Sequence, residues 1–245
     1  MAHAHAVVAR LADAREELGA IAGGRAGRIR LGSFPTATSA FAAGAVERFH
    51  ALYPGVEIDF ADGEPHENLA RLKARELDLA IVFEFDSWPI GMDYDGRILC
   101  ADDGFDYVDL FDDPFYLVLR RDDPLAGRKR IGLERIAAKR ILGGPPWGPD
   151  LRLLCNSCGF EPRFDSKYRT TDFSAFQSLV AAGLGVTLMP RLAFGSIRED
   201  VVLRRLDPAP VRHVKLAVRA EGYRSSATEA MLRGLVAAVR DLPAE

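Results

Sequence analysis

Between Arg28 and Phe83 the chain alternates short apolar runs with stretches whose apolar residues recur at helical spacing. Arg28–Ser33, Val56–Phe60 and Leu77–Phe83 read as strands; in the first, Ile29 and Leu31 alternate against Arg28 and Arg30. Phe34-Pro35-Thr36-Ala37-Thr38 reads as a turn, and Thr36 or Thr38 can cap the first helix, which places Phe41, Ala45, Phe49 and Leu52 on one stripe. That helix stops before Pro54-Gly55, and a second helix over Glu64–Glu76 turns Leu69 and Leu72 inward. Strands and helices at this spacing imply parallel β-α-β units. In such sheets ligands collect beyond the carboxyl ends of the strands, here Ser33–Thr38, Asp62–Glu64 and Phe83–Phe85.

Asp86–Asp113 breaks that rhythm. From Asp93 to Asp113 there are eight Asp and one Arg, read as a solvated loop because no Asp-x-Asp-x-Asp-Gly pattern with a closing Glu supports a cation site. A strand at Phe115–Leu119 runs into Arg120–Arg140, where eight Lys or Arg face three Asp or Glu, and these two blocks are expected to offset one another. A second α/β series comes after them. It comprises a strand end at Arg140–Leu142, an irregular loop at Gly143–Pro149, a short helix at Leu151–Cys158 and a strand at Tyr168–Thr171. A helix at Phe173–Ala182 and strands at Gly185–Met189, Val202–Leu206 and Val214–Val218 complete it. The last helix starts at Ser226 with Glu229 as a capping box, and carries Ala227, Met231, Leu235, Val239 and Leu242 on one face. Ahead of everything, Ala6–Ala22 reads as a helix with Val7, Leu11, Leu18 and Ile21 on a narrow stripe, ended by Gly23-Gly24.

At 245 residues and 48% hydrophobic the chain can bury one large core or two small ones. A net charge of −3 speaks against a duplex nucleic-acid surface on this segment. Three cysteines cannot all pair and point to a reducing compartment, the cytoplasm. No apolar run reaches the ~18 residues of a membrane span, and Arg10, Asp13, Arg15, Glu16 and Glu17 interrupt what would be a signal-peptide core.

Catalytic signatures are missing. The five histidines form no metal-binding pair, there is no Gly-x-Ser-x-Gly elbow, and no glycine-rich phosphate loop appears, so the chain is read as a non-enzyme without metal or cofactor. Cys155 and Cys158 make a Cys-x-x-Cys, yet they share helical spacing with Leu151 and Leu154, which predicts two buried, slowly reacting thiols. What stands out instead are hydroxyl residues around two helix starts: Ser33, Thr36, Thr38 and Ser39 at one, Thr170, Thr171 and Asp172 at the other. Helix N-termini suit an anion or a carboxylate, although each Ser or Thr could simply cap and Asp172 would repel an anion. Trp147, between Pro146 and Gly148, either stacks on a ligand or packs.

Several segments, in order, resemble the effector-binding domain of LysR-type transcriptional regulators. They are Gly27-Arg28-Ile29-Arg30-Leu31-Gly32; Phe49-x-x-x-Tyr53-Pro54-Gly55-Val56-Glu57-Ile58; Glu76-Leu77-Asp78-Leu79-Ala80-Ile81; Asp123-Pro124-Leu125-Ala126; Gly159-Phe160-x-Pro162; and Leu179-Val180-Ala181-Ala182-Gly183-Leu184-Gly185-Val186-x-x-Met189-Pro190. Three departures stand out: Asp123 replaces the usual His, the acidic stretch 93–113 is long, and the family's N-terminal winged helix-turn-helix is missing, residues 1–26 resembling the end of its linker helix.

The resemblance implies an α/β, two-lobed periplasmic-binding-protein-like (type 2) fold with two chain crossovers. Lobe one would be 27–112 plus 211–245 and lobe two 113–210. It further implies a cytoplasmic homodimer, able to form tetramers in a full-length regulator, that senses a small effector, carboxylate-like in many members, between its lobes. DNA would be reached only through the missing domain, and no membrane is involved. A free-standing solute-binding protein would share the fold. Carried onto this chain, the effector contacts are Ser33, Thr36, Thr38, Gly63, Glu64, Phe83, Phe85, Pro146, Trp147, Thr171, Asp172 and Pro190. Dimer contacts fall at Phe41, Phe49 and Phe176, which are ambiguous with core.

Overall fold

In the computed structural model, which describes residues 27–100, 104–144, 146–222 and 224–241, the alternation opens with β1 (Gly27–Ser33). The expected helix at Ala6–Ala22 and Leu242 lie outside the described residues. After β1, Pro35–Ala37, a π-helical segment Thr38–Ala42 and α1 (Ala43–Leu52) run on without a break. Phe41, Ala45 and Phe49 are buried on it as expected, but Leu52 is 74% exposed because the helix ends there, past the edge of the core. β2 (Val56–Asp62), α2 (Pro65–Lys73) and β3 (Leu79–Glu84) come next.

β1 pairs in parallel with β2 from Gly27↔Val56 to Ser33↔Asp62, and with β3 at Leu31↔Leu79 and Gly32↔Ala80, so the β-α-β reading holds in register. A Cβ on Gly32 would stand 2.6 Å from Leu77 and 2.9 Å from Asn68, so glycine is what lets α2 lie close on β1. α2 stops at Lys73 rather than Glu76. Arg75 turns to a φ of 59°, and the amides of Glu76 and Leu77 fold back onto the Arg71 carbonyl.

The acidic stretch departs from its reading. Phe105–Arg120 is one long strand, β4, and its carboxylates are answered by β10 (Val211–Arg219) and the turn after it. Asp109 meets Lys215 at 3.3 Å, Asp112 meets His213 at 2.7 Å, Asp113 meets Arg212 at 2.7 Å, and Asp106 pairs with Arg224. For these four carboxylates the partners come from β10 and the turn after it, rather than from the basic block Arg120–Arg140. Earlier in the stretch Asp93 closes a local turn, its Oδ1 accepting from the amides of Asp95 and Arg97.

Two units result. One comprises the residues up to Phe83, Ile90–Phe111 and Val214 onward; the other comprises Glu84–Pro89 and Asp112–His213. The first orders its strands β2-β1-β3-β10-β4, with α5 (Ser226–Ala238) contacting α1 and β1. Ser225, not Ser226, caps α5 by accepting from the Thr228 amide, and Glu229 turns toward Arg224 at 3.7 Å instead of forming the expected box.

In the second unit β8 (Thr187–Pro190) and β9 (Val201–Asp207) both run antiparallel to β4, and β5 (Arg130–Gly132) pairs in parallel with β9. The strand expected at Tyr168–Thr171 lies earlier: β7 (Arg163–Asp165) pairs in parallel with β6 (Arg140–Leu142). Helices α3 (Gly148–Ser157) and α4 (Phe173–Ala181) complete this unit. Its core gathers Val118, Leu142, Phe176, Val180, Met189 and Val201. Among the described residues no helix is long and apolar enough to cross a membrane.

Candidate functional site

In the first unit the candidate residues cluster at the carboxyl ends of β1, β2 and β3. Ser33 is fully buried and its Oγ donates to the Phe34 carbonyl at 3.3 Å. The helical run starts at Pro35 with Phe34 as N-cap, no side-chain cap and no acidic residue in its first turn. The hydroxyls expected to cap it do something else. Thr38 Oγ1 donates to the Phe34 carbonyl at 3.1 Å and Ser39 Oγ to the Pro35 carbonyl at 3.1 Å, each reaching back four residues. Thr36, half-buried, sits in the first turn of that uncapped end. The wide turn Thr38–Ala42 comes directly after it, a π segment of the kind that recurs at functional sites.

Gly63 and Ser33 are joined by a hydrogen bond from the Gly63 amide to the Ser33 carbonyl, 3.0 Å. Glu64 is committed to α2: it forms a capping box with Glu67, whose Oε2 accepts from the Glu64 amide at 2.9 Å. Phe83 meets Phe34 edge-on, ring centroids 4.8 Å apart.

In the second unit Phe85, Trp147 and Pro190 converge on Phe115, which the sequence shows only as a strand residue. Phe85 and Trp147 lie 5.5 and 6.2 Å from the Phe115 ring, and Pro190 is its register partner on β8. Phe164 continues the row, 6.1 Å from Trp147. Trp147 is 3% exposed and Pro146 is buried as well, so of the two roles open to the indole, packing is the one this arrangement provides.

Asp150, in the first turn of α3, accepts from the Ser87 amide at 2.8 Å and so anchors the Glu84–Pro89 loop; nothing in its sequence context marks it. Thr171 and Asp172 are exposed at the start of α4. Asp172 is the cap, its Oδ1 accepting from the Ser174 amide at 2.7 Å, so this helix end already carries a carboxylate.

Phe41, Phe49 and Phe176 are 6%, 3% and 4% exposed, so their rings serve the core of a single chain. Phe41 packs on Phe111 at 5.9 Å and Phe49 on Tyr53 at 4.7 Å. The exposed apolar side chains near α1 are instead Leu52 and Tyr53, with Phe60 on β2, the outer strand of the first unit's sheet. An open depression of about 360 Å³ elsewhere on the second unit is lined by Arg120, Lys139 and Arg140 with Asp122 and Asp123. Its cations are largely matched already, Arg120 by Asp122 and Lys139 by Asp123, at 2.5 Å each. Asp123, at the family's usual His position, thus serves as the partner of Lys139.

The Cys-x-x-Cys needs one correction. Cys155 is buried, and burial pushes its thiol up to about 11, but Cys158 falls on the C-cap of α3, off the apolar stripe, and is exposed. With a limiting maleimide reagent on native protein, Cys158 should be modified rapidly and Cys155 only on unfolding, read by peptide mass mapping. Equal rates at the two sites would contradict this burial pattern.

Parallel β-α-β layers with candidate contacts gathered at strand ends, in two units threaded by the same chain, define an α/β ligand-binding domain of the periplasmic-binding-protein-like type. A family model for the LysR substrate binding domain matches residues 22–240, and the chain belongs to that family. A hydrogen peroxide-inducible genes activator of Pectobacterium carotovorum is 27% identical over 199 residues, covering 79% of this chain and 61% of the relative. The chain thus spans about three fifths of that relative's length. Among solved structures, the C-terminal domain of a probable LysR family regulator from Rhodococcus sp. RHA1 is 27% identical with a TM-score of 0.69, covering 86% of this chain and 98% of that one. The CcmR regulatory domain of Synechocystis PCC6803, solved with 2-PG, is 22% identical with a TM-score of 0.71, covering 89% of this chain and 100% of its own.

Proposed function

We propose that this chain is the ligand-sensing part of a cytoplasmic, homodimeric LysR-type transcriptional regulator and performs no chemistry on what it binds. The observation that carries the reading is the family match across both units, residues 22–240. A small organic acid is the effector class we infer. Its carboxylate is received at the helix start Phe34–Thr36, whose first turn carries no acidic residue, whereas the starts of α2 and α4 bear the carboxylates of Glu64 and Asp172. The CcmR domain, solved with 2-PG, is a precedent for small-ligand binding in the same fold.

The effector acts by favouring one arrangement of the protein over another, and it shifts that equilibrium only by its difference in affinity for the two. A tenfold change in populations needs about 1.4 kcal/mol. DNA contact falls to a part of the regulator outside this domain.

The experiment is a thermal-shift screen of small organic acids, followed by calorimetric titration of wild type and Thr36→Val with the best hit. Loss of one hydrogen bond to a charged group should weaken binding about tenfold or more. Unchanged affinity in Thr36→Val removes Thr36 from the site. A screen in which only amines or neutral compounds stabilise the protein overturns the organic-acid class.

A further inference from the structure

Three stretches of the second unit begin or end where the chain passes from one unit to the other: Glu84–Pro89, Asp112 at the start of 112–213, and His213 at its end. The His213 imidazole touches the other two. Its Nδ1 lies 2.7 Å from Asp112 Oδ1, and its Nε2 lies 3.3 Å from Asp86 Oδ1. A neutral imidazole has one N–H and can donate to only one of these carboxylates, turning a lone pair on the other. The imidazolium donates to both. We propose that His213 is a proton-operated clasp: charged, it ties the Glu84–Pro89 loop to both crossing strands, and neutral, it keeps Asp112 and releases Asp86.

The surroundings favour the charged state. Burial of the ring pulls its pKa down, but hydrogen bonding and charge from Asp112, and then from Asp86, outweigh it, and the group ends above the ordinary 6.5. On β4 the next carboxylate, Asp113, is turned to Arg212, and Asp109 faces Lys215, the cation two residues along β10 from His213. On the loop the neighbouring acid is Glu84. Because the folded pKa is raised, the clasp's contribution is complete below about 6.5 and is lost as pH climbs through the higher folded value.

What the clasp controls is small and local. The rest of the loop stays held by the Ser87 amide on Asp150, by the paired Phe85 and Trp88 backbone bonds at 3.0 Å each, and by Phe85 against Phe115. Opening it loosens one anchor beside Phe85. Any effect on effector affinity rests on the ligand-sensing role proposed for the chain, whereas the clasp itself does not.

The test needs no effector. Hydrogen exchange of the Phe85 and Trp88 amides is followed from pH 5.5 to 8.5 and corrected for intrinsic rates, and the His213 ring is titrated by NMR. In wild type the corrected exchange should rise about two- to fivefold, the size an exposed ion pair supports, with a midpoint above 6.5. His213→Gln should abolish the dependence. Asp86→Asn, at an 88% exposed side chain, should also flatten it and lower the ring's midpoint. A flat wild-type profile, an unchanged dependence in either variant, or a ring midpoint at or below 6.5 would overturn the clasp.

Discussion

Arg212→Met is expected to lower the free energy of unfolding by about 3–5 kcal/mol, the cost of stranding a buried carboxylate without its cation. Arg212 and Asp113 are 4% and 1% exposed, and Arg212 Nε donates to Asp113 Oδ2 at 2.7 Å. Asp113 cannot retreat to water when the arginine goes, because its other oxygen accepts from the Leu192 amide at 3.2 Å. The guanidinium also lies over the Phe115 ring, 6.0 Å from its centroid, so the row of aromatics loses a neighbour as well. Urea unfolding read by tryptophan fluorescence measures this locally, since both tryptophans, Trp88 and Trp147, belong to the second unit. The midpoint should fall at constant slope. Pairing Arg212→Met with Asp113→Leu should restore most of the loss, since an apolar pair of similar volume carries no stranded charge. A single variant as stable as wild type would mean that Asp113 reaches solvent after all.

Trp147→Ala is the second large effect, about 3–5 kcal/mol, in the range for deleting a buried indole. The ring is nearly inaccessible, sandwiched in the row Phe85–Phe115–Trp147–Phe164, and it immediately precedes α3. Trp147→Phe, which keeps an aromatic in the row, should cost far less. Circular dichroism melts of the two variants separate the roles: stability lost in the alanine variant marks a packing residue, and a melt unchanged from wild type marks a ring that serves only a ligand.

The first β-α-β-α-β series was legible because its physics is local. Ile29 and Leu31 alternate against arginines, and Leu69 and Leu72 recur at helical spacing, so period alone places them, and both pairs are fully buried. The acidic stretch was not legible for the opposite reason. Asp106, Asp109, Asp112 and Asp113 look like solvent seekers until the strand carrying Lys215, His213 and Arg212, with Arg224 just after it, about a hundred residues later, is laid beside them. Charge pairing across that separation leaves no periodic trace. Cys158 illustrates a boundary effect: it has the helical spacing of a buried residue but lies one step past the last helical turn. At the candidate site, Ser33, Gly63 and Phe83 are brought to neighbouring strand ends because the strand-end rule follows from topology. Phe115 and Asp150 escaped because their roles come from partners, Phe85 and Ser87, that are distant in sequence.

The chain leaves and re-enters the first unit, so that unit is finished only by Val214 and the residues after it, whereas the second unit is complete at His213. During synthesis from the N-terminus, the inserted unit therefore has all its residues before the unit it interrupts can close. Strand β10 sits between β3 and β4 in the first unit's sheet, so until it emerges β3 and β4 each have an unpaired edge. The nascent first unit is thus the vulnerable one. Truncations ahead of Val214 should yield a protected second unit and an aggregation-prone, protease-sensitive remainder.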